Sequence, residues 1–382
     1  MMTSSNSISF YTILLVLNLL ACSEERQNSI TYRPLNLHEQ GTYSFYLRDI
    51  IPNKPYVQVV SDGEEEFLYV NNTYQNGITR FNLATGKEDT TILFPRQGPD
   101  VIRNMQGFYV HTPDSIFISS TTYQLFLYHT PTGTTKRFPL NHPKQGAASL
   151  GMLTTFRHGY FDGQTISMVG IPYQKPIQRG FLNIDVDLIS GMVQENYTYP
   201  EALKKHSWSL VQWIGVYRTR TPEGKWLYSF TQSDDLYLTD HNKKGVKIPA
   251  PTHLGPSPRP LPPKLAAIDR KGEQYQQMTT SYYGILYDPY RAVYYRLVTH
   301  PVPGITEDNL HRFHFNDKPI SVIVLDRSLA VIGEYMLPRN TYFAIGFVSK
   351  KGLCLLLENE NNEAFGSEEY LDCQCMTFSV AE

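Results

Sequence analysis

The sequence has almost no excess charge. Its 34 Lys and Arg stand against 36 Asp and Glu, a formal charge of −2. A scaffold that grips nucleic acid by neutralising phosphates is therefore excluded, and no nucleic-acid partner is expected. Gly and Pro, 25 of each, stay near average usage, which excludes collagen-like and low-complexity chains. No Gly-rich phosphate loop, HExxH, EF-hand loop or GxSxG elbow occurs, which argues against the familiar NTPase, zinc-protease and serine-hydrolase classes. Helical periodicity is nearly missing; Glu201–Ile214 is the only tolerable stretch, and Trp208, Trp213 and a Ser pair weaken it. No hydrophobic span follows the first 22 residues. What the chain has in quantity is aromatic: 27 Tyr, 19 Phe and 3 Trp make 13% of it. Such a chain can bury enough surface to offset its ordering entropy, and its residue types favour strands.

The apolar run Phe10–Leu20 is 11 residues long. That suits a signal-peptide core and falls short of the about 20 residues a membrane helix needs. It ends in Leu19-Leu20-Ala21-Cys22, which resembles the lipobox of bacterial lipoproteins, although no Lys or Arg precedes it. The resemblance implies a signal peptide over 1–21 and acyl chains on Cys22, anchoring the chain to a membrane. Ser23-Glu24-Glu25 resembles the export signal of some Bacteroidetes-type lipoproteins. The implied location is the outer membrane, facing the periplasm or the cell surface. Residues 22–40 are polar and aperiodic and read as a lipidated tether. Residues 41–382 are left for the folded domain.

In that domain short apolar runs recur in a common unit: a strand, a gap, a second strand ending in a tight turn, and a polar exit. First strands start near residues 67, 115, 166, 226, 292 and 353, at intervals of 48 to 66. Such spacing of short strands marks a β-propeller. The expected architecture is all-β with six blades, the longer intervals leaving room for a seventh. A pair of β-sandwiches is the competing architecture, but it would not require hairpins at this interval. The last unit lacks a strand, and Tyr43–Ile51 or Tyr56–Val60 has strand character with no unit of its own. An N-terminal strand is therefore expected to complete the last blade and remove the open edge. The segments Phe94-Pro95-Arg96-Gln97-Gly98-Pro99 and Tyr287-Asp288-Pro289-Tyr290-Arg291-Ala292-Val293-Tyr294-Tyr295-Arg296, with the lipobox, resemble uncharacterised Bacteroidetes lipoproteins of the DUF4221 family. That family is similar to TolB-like six-bladed propellers; the resemblance implies fold and location and brings no known activity.

Arg96, Arg103, Arg157, His158, Arg218, Arg220 and Arg291, with Asp288, are expected in segments leading into inner strands, where they would converge on one channel mouth. Guanidinium forks there would suit an anionic saccharide or peptide; the alternative is that they are solvated or locally paired. The function expected is an envelope-anchored binding or scaffolding module without catalytic residues. The alternative is a hydrolase or lyase of anionic polysaccharide built on His158, Asp162, Asp288 and Arg291, and a third reading is a structural part of an envelope complex. No cofactor or metal is expected, because His300, His311 and His314 read as a polar insertion. The Pro-rich stretch 249–263 reads as a stiff crossover rather than a partner-binding ridge. Tyr282, Tyr283, Tyr287, Tyr290, Tyr294 and Tyr295 read as sheet packing. Asp89-Thr90-Thr91 and Asp114-Ser115-Ile116 resemble a Bacteroidetes-type O-glycosylation signal. Three buried free thiols are expected at Cys354, Cys373 and Cys375; a bridge from Cys354 to either of the others stays open if their strands are neighbours.

Overall fold

Short side chains at the turns fold the hairpins back. Asn82 accepts from the Thr85 amide, Asp187 from the Ile189 and Ser190 amides, and Asp326 from the Ser328 and Ala330 amides. These local bonds satisfy the turn backbone and set each hairpin's register. The computed structural model describes residues 30–382 apart from 48–55, 141–148, 173–176, 242–243, 267–270, 307, 313–316, 340, 343 and 358–368. The expected signal peptide, Cys22 and the tether to residue 29 lie outside the described residues.

The hairpins assemble into six antiparallel sheets arranged as a six-bladed β-propeller. From the axis outward, blade 1 runs Val57–Asp62, Glu65–Asn72, Gly77–Asn82, Glu88–Leu93; blade 2 runs Met105–Thr112, Ser115–Ser120, Gln124–His129, Thr134–Pro139. Blade 3 has an inner strand in two pieces, Leu150–Met152 and Tyr160–Phe161, then Thr165–Ile171, Phe181–Asp187 and Val193–Thr198. Blade 4 is Val216–Arg220, Trp226–Phe230, Asp235–Thr239, Val246–Pro249; blade 5 is Ser281–Asp288, Val293–Thr299, Ile320–Asp326, Val331–Met336. Blade 6 is Gly346–Ser349, Gly352–Leu356 and Tyr370–Val380, completed by the N-terminal strand Leu35–Tyr46. That strand pairs from Leu35 opposite Val380 to Tyr46 opposite Tyr370, which closes the ring as expected.

Three expectations need correction. The strands read as first are second strands in all six blades, because inner strands such as VYRTR of blade 4 mix polar and apolar residues and give no apolar run. The closing strand starts at Leu35, so residues 35–40 belong to the sheet and not to the tether. Cys354 and Cys375 sit opposite each other on paired strands and form a disulfide, with Cys373 buried beside them, so three free thiols was wrong. The 201–214 stretch yields only Glu201–Lys204 and Leu210–Ile214, the second started by a capping box between Ser209 and Gln212. Apolar seams between blades hold the ring. Phe67, Ile78, Phe108, Ile116 and Phe126 pack between blades 1 and 2, each contributing about 1.5–3 kcal/mol. Tyr282, Tyr294 and Tyr295 are likewise buried in such seams, as the packing reading expected.

Candidate functional site

The ring axis is occupied by the chain itself. Between the two pieces of blade 3's inner strand, residues 153–159 (LTTFRHG) cross to four other blades. The Leu153 amide donates to Ser119 Oγ of blade 2 at 3.2 Å, and Thr155 Oγ1 accepts from the Val57 amide of blade 1 at 2.9 Å. The Phe156 carbonyl accepts from the Arg218 amide of blade 4 at 2.9 Å. The Phe156 ring meets Tyr283 of blade 5 edge-on at 6.2 Å. Two glycines admit the segment. A Cβ on Gly107 would stand 1.8 Å from the Leu153 carbonyl oxygen, and one on Gly284, at φ +131, would meet the Phe156 ring at 3.0 Å.

This crossing disperses the residues expected to form one mouth, and that expectation was wrong. Arg157 and His158 belong to the crossing segment, where Arg157 donates to the Val216 and Ile214 carbonyls at 3.0 and 2.9 Å. Arg96 and Arg103 precede the inner strand of blade 2 and are exposed, with Arg96 donating to the Tyr74 carbonyl. Asp288 and Arg291 follow the inner strand of blade 5 instead of leading into it, so they stand at the opposite end of the ring. Asp288 is fully buried, accepting from the Tyr290 and Arg291 amides, Tyr295 Oη and Arg291 itself at 3.1 Å. Asp162 holds a turn, and the Thr165 and Gln164 amides keep its carboxyl below the usual range. The four residues of the hydrolytic alternative therefore stand in three separate places: the Asp288–Arg291 pair, the Asp162 turn and the crossing segment that carries His158.

Arg218 and Arg220 alternate on one face of blade 4's inner strand, and that face looks at blade 3. Arg218 is fully buried; it donates to the His158 carbonyl, Asn183 Oδ1 and Tyr228 Oη, and lies 3.6 Å from the Trp226 ring centroid. Arg220 covers Tyr160 at 3.2 Å. Both stand behind a cavity of about 470 Å³ that opens between the outer strand of blade 3 and the outer hairpin of blade 4. Its wall includes Tyr197, Tyr199, Tyr237 and His241, with Glu201 and Lys244 at the rim.

The wall is set by a relay. Arg218 donates to Tyr228 Oη at 3.1 Å, so the phenol's own proton points to His241 Nε2, 2.8 Å away, leaving the imidazole proton on Nδ1. Burial, then the Arg218 and Arg220 cations, push His241 down to about 2, so it stays neutral. Burial and Arg218 likewise push His158 down to about 4. Tyr197 and His241 hold φ of 56° and 67°, a region costing roughly 1–3 kcal/mol for such residues. Among the described residues five other non-glycine residues have positive φ, and these two line the cavity wall. At the rim Lys247 pairs with Asp235 at 3.0 Å and Lys204 with Glu201 at 2.8 Å, while Lys244 is exposed and makes no ion pair among the described residues. In the sequence Asn242-Lys243-Lys244-Gly245 has only the composition of a turn. Its paired lysines next to the Tyr-bearing strand Asp235–Thr239 were the available signal.

The other candidates are structural. His300 is buried, bonded through Nε2 to Ser321 Oγ at 2.7 Å, while His311 is exposed on a short turn and His314 lies outside the described residues. Among the described residues no group of three His, Cys, Asp or Glu is placed to hold a metal. In the Pro-rich stretch Thr252 Oγ1 and the His253 amide donate to buried Glu334 at 2.7 and 2.9 Å, tying it to blade 5 as a crossover.

A family model for a domain of unknown function, DUF4221, matches residues 34–336. A solved DUF4221 member from Bacteroides vulgatus superposes with a TM-score of 0.78 at 19% identity, covering 92% of this chain and 100% of its own. A candidate exported protein from Bacteroides fragilis superposes at 0.59 with 10% identity, covering 91% and 96%. At these identities the likeness concerns fold. No curated protein matches the chain by sequence.

Proposed function

This chain belongs to the DUF4221 family, and from that premise we propose that it is an exported binding module, held at the outer membrane by a lipid on Cys22. The observation that carries the binding reading is the cavity between blades 3 and 4, whose wall holds two residues at positive φ and a neutral imidazole fixed by the Arg218–Tyr228 relay. Its volume falls in the range of about 300–1,000 Å³ that small-molecule sites occupy. A position outside the cytoplasm accords with the lipobox-like N-terminus, with the exported description of the Bacteroides fragilis protein, and with the Cys354–Cys375 disulfide, a bond that persists in oxidising compartments. None of the described helices is long and apolar enough to cross a membrane.

Two measurements test the reading. Fatty-acid labelling of the expressed chain should be lost in Cys22→Ser; labelling that survives would rule out the anchor. A thermal-shift screen of sugars, sugar acids, amino acids and short peptides should find a saturable ligand whose effect is lost in Tyr237→Ala. Ligands indifferent to that change, or none at all, would overturn the cavity as the binding site.

A further inference from the structure

We propose that the cavity between blades 3 and 4 takes a carboxylated sugar, a hydroxyl-bearing ring with a single carboxylate. The inference rests on the binding reading above and adds the ligand class. Charge is the first argument. Arg218 is wholly buried, yet its hydrogen bonds run to a carbonyl, an amide oxygen and hydroxyls, with no carboxylate in contact. Asp185 opposes that charge from behind Asn183 without touching it, and a buried charge held off its counter-ion projects a field through a low-dielectric wall. Arg220 adds to that field from above Tyr160, and Lys244 adds an exposed cation at the rim, where Glu201 is already paired with Lys204. The Lys247–Asp235 and Lys204–Glu201 pairs are neutral as units. An anion is therefore favoured and a cation is not.

The second argument separates anions from one another. Bare phosphates and sulfates are held by forked guanidinium groups or by clustered backbone amides. Both guanidinium groups here are spent behind the wall, and what reaches the rim is the point charge of Lys244. One ammonium matches one carboxylate. The third argument concerns the remainder of the ligand. Tyr197, half-buried, and Tyr237, largely buried against Phe230, line the cavity with aromatic rings that carry polar ends, which suit a molecule apolar on one side and hydroxylated at its edge. The neutral His241, with its proton on Nδ1, can donate to a hydroxyl without repelling the ring. A purely apolar ligand would strand that donor, at a cost of about 1–3 kcal/mol.

Calorimetry on the full chain, with D-galacturonate, D-galactose and inorganic phosphate as probes, tests the inference. Galacturonate should bind about tenfold or more tightly than galactose, and the difference should shrink with salt. Lys244→Gln, at an exposed position, should abolish the difference while leaving the melting temperature unchanged. Equal binding of galactose and galacturonate, lost in Tyr237→Ala, would overturn the carboxylate preference and leave the binding reading standing. Displacement of galacturonate by phosphate would reduce the site to a general anion site and overturn the ligand class. No saturable heat with either sugar would overturn the sugar proposal outright; the binding reading falls only if the broader screen also finds nothing that Tyr237→Ala abolishes.

Discussion

A guanidinium loses its hydration when buried, and Arg218 recovers it from neutral acceptors on two blades. Lys cannot reproduce that fork. Arg218→Lys should leave Asn183 or Tyr228 short of a donor and cost about 3 kcal/mol, read as a lower urea midpoint at unchanged slope. His241 gives a second residue-scale expectation. Its pKa falls from the usual 6.5 to about 2 on folding, so between those values the unfolded chain binds a proton that the folded chain does not. Stability from this group is complete above about pH 6.5 and is lost as pH falls toward 2, by up to about 1.4 kcal/mol per pH unit. His158, pushed down to about 4, acts in the same direction. Urea midpoints at pH 7, 6 and 5 should decline, and His241→Gln should make the decline shallower; an unchanged slope would count against the buried neutral imidazole. The arginines were legible in the sequence as residues. Their direction was not, since side chains on a propeller's inner strand alternate between neighbouring blades and do not point at the axis.

At the scale of elements, the hairpins were legible because their turns are local chemistry: Asn, Asp and Gly at set offsets. Inner strands were not. Val216–Arg220 is buried by its neighbours and Met105–Thr112 partly so, and neither needs an apolar run of its own. The pocket escaped for a related reason, because its wall joins Tyr197 to His241 across two blades that local pattern cannot bring together. The Cys354–Cys375 link belongs to this scale too, tying neighbouring strands of the blade that closes the ring across a separation of 21 residues. Loop-closure entropy for such a separation is worth about 3 kcal/mol. Cys375→Ser should lower the urea midpoint accordingly, and added reductant should then have no further effect. A variant as stable as the parent would mean the bond contributes little.

For the whole molecule, closure depends on the two ends of the folded domain meeting in blade 6. Removing residues 35–46 would expose the edge of Tyr370–Val380 along its length, an invitation to pairing between molecules. The truncated chain should elute as aggregate in size-exclusion chromatography, whereas a monodisperse, equally stable product would refute closure by this strand. Six blades and N-terminal closure followed from strand spacing and one orphan strand. The filled axis did not, since nothing in LTTFRHG distinguishes a segment crossing five blades' company from an ordinary loop.

That filled axis leaves no open channel to serve as a binding mouth, and the site proposed above lies on the side of the ring instead. Native-state hydrogen exchange tests it most directly, at the amides of Val57, Leu153, Arg157 and Arg218, which are bonded respectively to Thr155, Ser119, Thr154 and Phe156. Exchange as slow as in the central strands of the blades is expected at all four. Fast exchange at these amides, with the blade strands still protected, would mean an open channel and would contradict the placement of the site on the ring's side.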